Sequence, residues 1–295
     1  MTFYILVPLM KKTIVVAIPG IGTKQRHFSV PLENDIRKHA YGNEMLANFQ
    51  LIELLPFKES NVDFNQKNLY DRIEAENDLG GILSLREFVM HAFGDALTFE
   101  RDRDRKDSAY KVVHRYLRDE FKKINAILDE HPGSRFVIVA GSLGAHVLST
   151  YIWDADHNIG IFEEHHADRT ENLRNLDYLA TIGCNIPLFV SGYAPNEIIA
   201  IDKRNIHFEW ENFYDKHDVL GWPLQQLSPS YRVLVSDIEV NTGLYIGSHI
   251  RYWDDNDFTG PFTRKLIELH SSVTSTPLSN PQPPLGNREA PLSQN

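Results

Sequence analysis

The stretch Arg135-Phe136-Val137-Ile138-Val139-Ala140-Gly141-Ser142-Leu143-Gly144-Ala145-His146-Val147-Leu148-Ser149 reads as a buried strand, a turn of small residues and a helix that starts at once. Phe136 to Val139 show no polar alternation, as expected of a strand covered by helices on both faces. A serine at the tip of such a turn must take a strained backbone conformation. The residues two before and two after it must then be small, or strand and helix collide; Ala140 and Gly144 meet that need. The run A-G-S-L-G differs by one methyl group from the G-x-S-x-G of a nucleophile elbow. A helix N-terminus behind Ser142 supplies partial positive charge and unpaired N–H groups, with that of Leu143 the first donor to an oxyanion. The competing reading is a glycine-rich turn with an uninvolved serine.

Working outward, apolar runs of strand length alternate with longer segments of helical period, the pattern of an α/β fold with a mostly parallel sheet. The expected strands are 13–18, 49–55, 135–140, 178–182, 206–213 and 231–240. The expected helices are 30–46, 109–130, 143–153 and 261–270. In 109–130 the apolar positions Val112, Val113, Tyr116, Leu117, Phe121, Ile124 and Leu128 fall at helical spacing, and Pro132-Gly133 closes the segment. Two polar stretches break the rhythm: 57–107, ending in the charge run Glu100 to Asp107, and 154–175.

The 295 residues, 42% of them hydrophobic, suffice for one full core, expected as a single domain over 1–270. From 271 to 295 Ser, Thr, Pro and Asn dominate and no apolar period survives, so this tail is expected to be disordered. Forty acidic against thirty basic residues give a net charge of -10, which offers a phosphate backbone no attraction and argues against nucleic acid as a partner. No apolar stretch is long enough to span a bilayer. The apolar residues Met1 to Met10 precede Lys11-Lys12, the reverse of a secretory signal, so they read as an edge strand or ragged leader and the chain as cytoplasmic. The single cysteine, Cys184, excludes an internal disulfide and reads as a buried structural thiol.

A serine hydroxyl becomes a good nucleophile only when a histidine takes its proton, and the histidine needs a carboxylate to fix its tautomer. On an elbow of this kind the order along the chain is Ser, Asp or Glu, then His, each after a later strand. The expected strand 206–213 leads into Tyr214-Asp215-Lys216-His217-Asp218-Val219, and 231–240 leads towards Gly247-Ser248-His249. Among thirteen histidines, His249 alone combines that order with that loop context.

With these residues in place the chain resembles the α/β-hydrolase superfamily in its lipase and esterase-like branch, from about Thr13 to His270. Pro19-Gly20-Ile21-Gly22 is similar to the family's oxyanion loop, with proline where its histidine often stands. The resemblance implies an α/β-hydrolase-type sheet of about six strands and a serine esterase acting through Ser142, Asp218 and His249, with no metal or cofactor. It further implies an oxyanion hole from the N–H groups of Leu143 and Ile21, with Gly20 and Gly22 admitting the substrate closely. Asp218 is preferred to Asp215 because Asp218-Val219 and Trp222-Pro223 resemble the family's acid turn. Trp222 and Trp253, with Tyr193, Trp210 and Tyr252, are candidates to border an apolar acyl group of a small-molecule or lipid ester.

Other chemistries fit less well. Gly20-x-Gly22 has Gln25 where a dinucleotide loop needs its third glycine, and no phosphate-loop run exists. Glu163, Glu164, His165, His166 and Asp168 are metal-ligand types, but adjacent histidines on a helix point about 100° apart, so a solvated acidic loop is expected. His146 reads as a packing residue. The stretch 57–107 is expected either as a mobile cover hinged at Gly80-Gly81 and Gly94, with Ile82, Leu83, Leu85, Phe88, Val89 and Phe93 facing an acyl chain, or as core helix. The second class of function is a non-catalytic relative that binds a ligand or partner protein in the same cleft.

Overall fold

Six strands pair side by side, all parallel, in the order β2-β1-β3-β4-β5-β6. They are β1 (Thr13–Ile18), β2 (Phe49–Glu53), β3 (Arg135–Gly141), β4 (Tyr178–Ile182), β5 (Glu209–Asp215) and β6 (Val235–Val240). The computed structural model describes residues 10–20, 25–60, 94, 96–243 and 246–272, without the side chains of 246 and 247. Ile21, Gly22, most of the expected cover at 61–93, the leader at 1–9 and the tail from 273 onward lie outside the described residues.

The apolar runs of β1 and β3 fill two cores. Ile14, Val16, Ile18, Phe136, Ile138 and Ala140 face one side of the sheet, with apolar residues of α2 (Ala109–Glu130) and α3 (Leu143–His157). Val15, Ala17, Val137 and Val139 face the other, with those of α1 (Val30–His39) and α6 (Asn256–Ser271). This explains why neither strand shows polar alternation. Shorter helices among the described residues include α4 (Ile186–Val190) and α5 (Pro229–Leu234). At the edge, Asp237 of β6 accepts the Asn212 side chain and the Leu224 and Gln225 N–H groups, and Glu239 pairs with Lys216.

The elements differ from the sequence reading where local capping overrode apolar pattern. Residues 231–234 are helical, because Ser228 caps α5 and Pro229 occupies its first turn, so β6 begins only at Val235. Residues 206–208 precede β5 in a turn closed by the bond from His207 N–H to Asn205 Oδ1 at 2.8 Å. Helix α6 starts at Asn256, capped by Asp255, and carries Pro261 inside it; α1 stops at His39, and a 3₁₀ turn over Glu44–Asn48 follows. Residues 96–100 are helical, and Phe99 is fully buried against Phe57, Tyr110 and His146, so this end of the 57–107 stretch belongs to the core.

Strand order reverses at β1 and β3: β2 lies beyond β1 on one side and β4 to β6 beyond β3 on the other. In parallel sheets the carboxyl ends at such a switch point open into a crevice. Gly20 follows β1 and Ser142 follows β3, so both stand at its mouth.

Candidate active site

Ser142 links β3 directly to α3 with φ +49° and ψ −125°, a backbone conformation that non-glycine residues rarely adopt. Its N–H donates to the Ile182 carbonyl at 3.0 Å, which pins the turn to β4. The turn is as tight as the sequence requires: a Cβ on Gly144 would fall on the Pro19 carbonyl oxygen, and one on Gly20 would stand 2.5 Å from Ser142 Cβ. Leu143 opens α3, so its N–H has no acceptor within the helix and lies beside the serine.

His249 closes the single helical turn Ile246–His249 after β6, and its Nε2 stands 2.9 Å from Ser142 Oγ. Its Nδ1 faces the Asp218 carboxylate, 2.8 Å from Oδ2 and 3.0 Å from Oδ1. Asp218 lies three residues beyond β5, and its Oδ1 also accepts the Leu220 N–H at 2.9 Å. Burial pushes the Asp218 pKa up, but bonds with His249, Leu220 and Tyr252 outweigh it and hold the carboxyl below its ordinary value. The structure therefore joins Ser142, His249 and Asp218 in one line of hydrogen bonds. Chemically, such a line lets Nε2 accept the hydroxyl proton while Asp218 keeps the other ring proton on Nδ1.

Asp215 has a different place. It is fully buried; its Oδ1 accepts the His217 N–H at 2.8 Å and its Oδ2 the Thr242 N–H at 2.7 Å, so it ties the loop after β5 to the loop after β6. Thr242 Oγ1 also donates to the Ser248 carbonyl at 2.9 Å, one residue before His249. Tyr252 does not border an acyl group; it is buried, with its hydroxyl between the Asp215 N–H and the Asp218 carboxylate. Neither contact was drawn from the sequence, although the spacing His249-x-x-Tyr252 puts the phenol one turn after the histidine.

Of the other expected site residues, Trp222 is 43% exposed and its N–H donates to the Cys184 carbonyl at 2.9 Å. Trp253 is half-buried, edge-on to Phe28 at 5.1 Å and close enough that a Cβ on Gly141 would meet its ring at 3.2 Å. Trp210 is buried and donates to Thr181 Oγ1 at 3.0 Å, whereas Tyr193 is exposed. Ile21 and Gly22 lie outside the described residues.

His146 is more than filler. Its Nε2 stands 2.7 Å from Glu100 Oε1, its ring stacks on Phe189 at 3.6 Å, and burial pushes its pKa down. Cys184 is buried, and burial pushes its thiol up to about 12. In the acidic loop, His165 bonds Glu171 at 3.0 Å and Asp168 accepts the N–H groups of Thr170 and Glu171; among the described residues no cluster of side chains is arranged to hold a metal ion. No helix among the described residues is long and apolar enough to cross a membrane.

No family model and no curated protein matches the chain. Among solved structures it is similar to the esterase domain of a Rhodothermus marinus protein, at 12% identity and a TM-score of 0.33 over 87% of this chain and 84% of that one. It is also similar to RedJ with a polyethylene glycol molecule in its active site, at 10% identity and a TM-score of 0.35 over 88% and 92% of the two chains. Overlap this loose carries no conclusion about activity.

Proposed function

We propose that this protein is a serine hydrolase that cleaves a carboxylic or lipid ester. The observation that supports it above all is the line from Ser142 Oγ through His249 to Asp218, with the serine held at a strained strand-to-helix tip. Ser142 Oγ attacks the acyl carbonyl carbon and His249 Nε2 takes its proton. The negative charge on the carbonyl oxygen goes to the Leu143 N–H at the start of α3, with the Ile21 N–H as the second donor. His249 returns the proton to the departing alcohol, leaving an acyl group on Ser142. Water, deprotonated by the same histidine, then releases the acid and restores the serine. Asp218 stays ionised throughout and stabilises the imidazolium. Gly20, where a side chain would collide with Ser142, leaves room for the carbonyl, and Trp222 and Trp253 border the acyl or alcohol group.

Hydrolysis of a graded series of aryl esters by wild type and Ser142→Ala tests this reading. Turnover by wild type that disappears in the alanine variant is expected. Equal turnover by both, or none by wild type at any chain length, removes it.

A further inference from the structure

Tyr252 is buried to 1% exposure, and its hydroxyl is engaged on both sides. It accepts the Asp215 N–H at 2.8 Å and stands 3.0 Å from Asp218 Oδ2, to which it donates. We propose that Tyr252 is a positioning residue of the Ser142 site, acting by holding the Asp218 carboxylate in the orientation that meets His249 Nδ1; this rests on the hydrolase reading above.

The direction of the phenol hydrogen follows from its partners. A backbone N–H can only donate, so the Asp215 amide takes a lone pair of the hydroxyl and leaves its one hydrogen for Asp218. The Asp218 carboxylate is then held at two points, by Leu220 N–H on Oδ1 and by Tyr252 on Oδ2, and its remaining acceptor capacity faces His249. The terminal torsion of an aspartate is soft and roughly two-fold, so one bond to Oδ1 would leave the plane of the carboxylate poorly defined. The second bond defines it. The same phenol connects this arrangement to the loop carrying His249, because Asp215 bonds Thr242 and Thr242 bonds the Ser248 carbonyl. One aromatic residue thus couples the loop after β5 to the residue before His249.

The test is Tyr252→Phe, which keeps the ring and removes the hydroxyl. With an activated aryl ester, kcat is expected to fall about tenfold to a hundredfold, as for loss of one hydrogen bond to a charged group, with KM changed by less than about twofold. In the proton NMR spectrum the far-downfield His249 Nδ1–H resonance is expected to shift or broaden. Placed on Asp218→Ala, the same substitution should cost less than about twofold in residual activity, since its route of action is already gone. An unchanged kcat and resonance in Tyr252→Phe overturns the proposal, and so does a loss as large on Asp218→Ala as on wild type. Fluorotyrosine at position 252 covers the case in which the phenylalanine variant does not fold: it keeps both bonds and makes the hydroxyl a stronger donor. A shifted His249 resonance then supports the proposal and an unmoved one overturns it. If wild type hydrolyses no ester, the hydrolase reading fails separately, and the resonance still reports whether Tyr252 holds Asp218.

Discussion

Replacing Asp218 with asparagine changes one oxygen to an amino group and removes a charge at nearly constant volume. The asparagine oxygen keeps the Leu220 N–H, now 2.9 Å from Oδ1, which puts the amino group where Oδ2 stands, 2.8 Å from His249 Nδ1 and 3.0 Å from the Tyr252 hydroxyl, which must then turn its hydrogen away and offer its second lone pair. A ring nitrogen facing a donor must accept, so the imidazole proton moves to Nε2, the atom 2.9 Å from Ser142 Oγ. In that tautomer the histidine cannot take the serine proton. The expected loss is about 10⁴-fold in kcat, or about 5 kcal/mol of barrier, with KM little changed. Asp215→Asn is the matched control. Asp215 accepts N–H groups on both oxygens, from His217 and Thr242, and an asparagine has only one acceptor oxygen to offer them. That variant should lose about 1–3 kcal/mol of stability by urea unfolding, while keeping far more activity than Asp218→Asn. Steady-state hydrolysis of an aryl ester, run beside the unfolding curves, reads both effects. If Asp215→Asn loses several orders of magnitude in kcat and Asp218→Asn stays near wild type, the assignment of the acid is reversed and the reasoning fails.

Two further outcomes follow from strain and from burial. Ser142→Gly should abolish turnover and stabilise the fold by about 1 kcal/mol, read as a higher thermal midpoint, because glycine takes φ +49° without penalty and Ser142 makes no side-chain cap to α3; a midpoint at or below wild type contradicts this. Burial lowers the pKa of both His114 and His146, although Asp154 and Glu100 beside them act the other way. Below the ordinary histidine value of about 6.5 the unfolded chain therefore binds protons that the folded chain refuses, so stability is full above that pH and falls as pH drops towards the lowered folded values. Two such groups give at most about 2.7 kcal/mol per pH unit. Urea curves between about pH 7.5 and 5.5 should show the fall, with a smaller slope in His146→Gln; a flat or rising stability on acidification refutes it.

The fold was legible wherever apolar pattern alone decides it. The strands Thr13–Ile18 and Tyr178–Ile182 and the helix Ala109–Glu130 fall where the pattern puts them, because each is a long run buried on the faces its period predicts. Tyr231 to Leu234 looked equally like strand by composition, but the Ser228-Pro229 signal turned them into helix, a case of capping chemistry outranking hydrophobicity. At the site, chain order pointed to Ser142 and His249 but left Asp215 and Asp218 both open, and only the resemblance of the Asp218 turn chose between them; the structure brings Ser142, His249 and Asp218 within hydrogen-bond distance. The roles of Tyr252 and Asp215 were not legible. They depend on two loops, after β5 and after β6, meeting side by side in the folded chain, and no periodicity records which residues of two loops will touch. His146 shows the same limit: its position on α3 suggests packing, while its bond to Glu100 joins residues 46 apart along the chain.

Reaction of the intact protein with a fluorophosphonate, followed by peptide mass mapping, tests the central claim most directly, because such a reagent bonds only to a serine that a neighbouring base has activated. The account predicts one adduct on wild type, carried by the peptide containing Ser142, and none on Ser142→Ala. An unmodified wild-type protein, or an adduct that persists in Ser142→Ala, would contradict it.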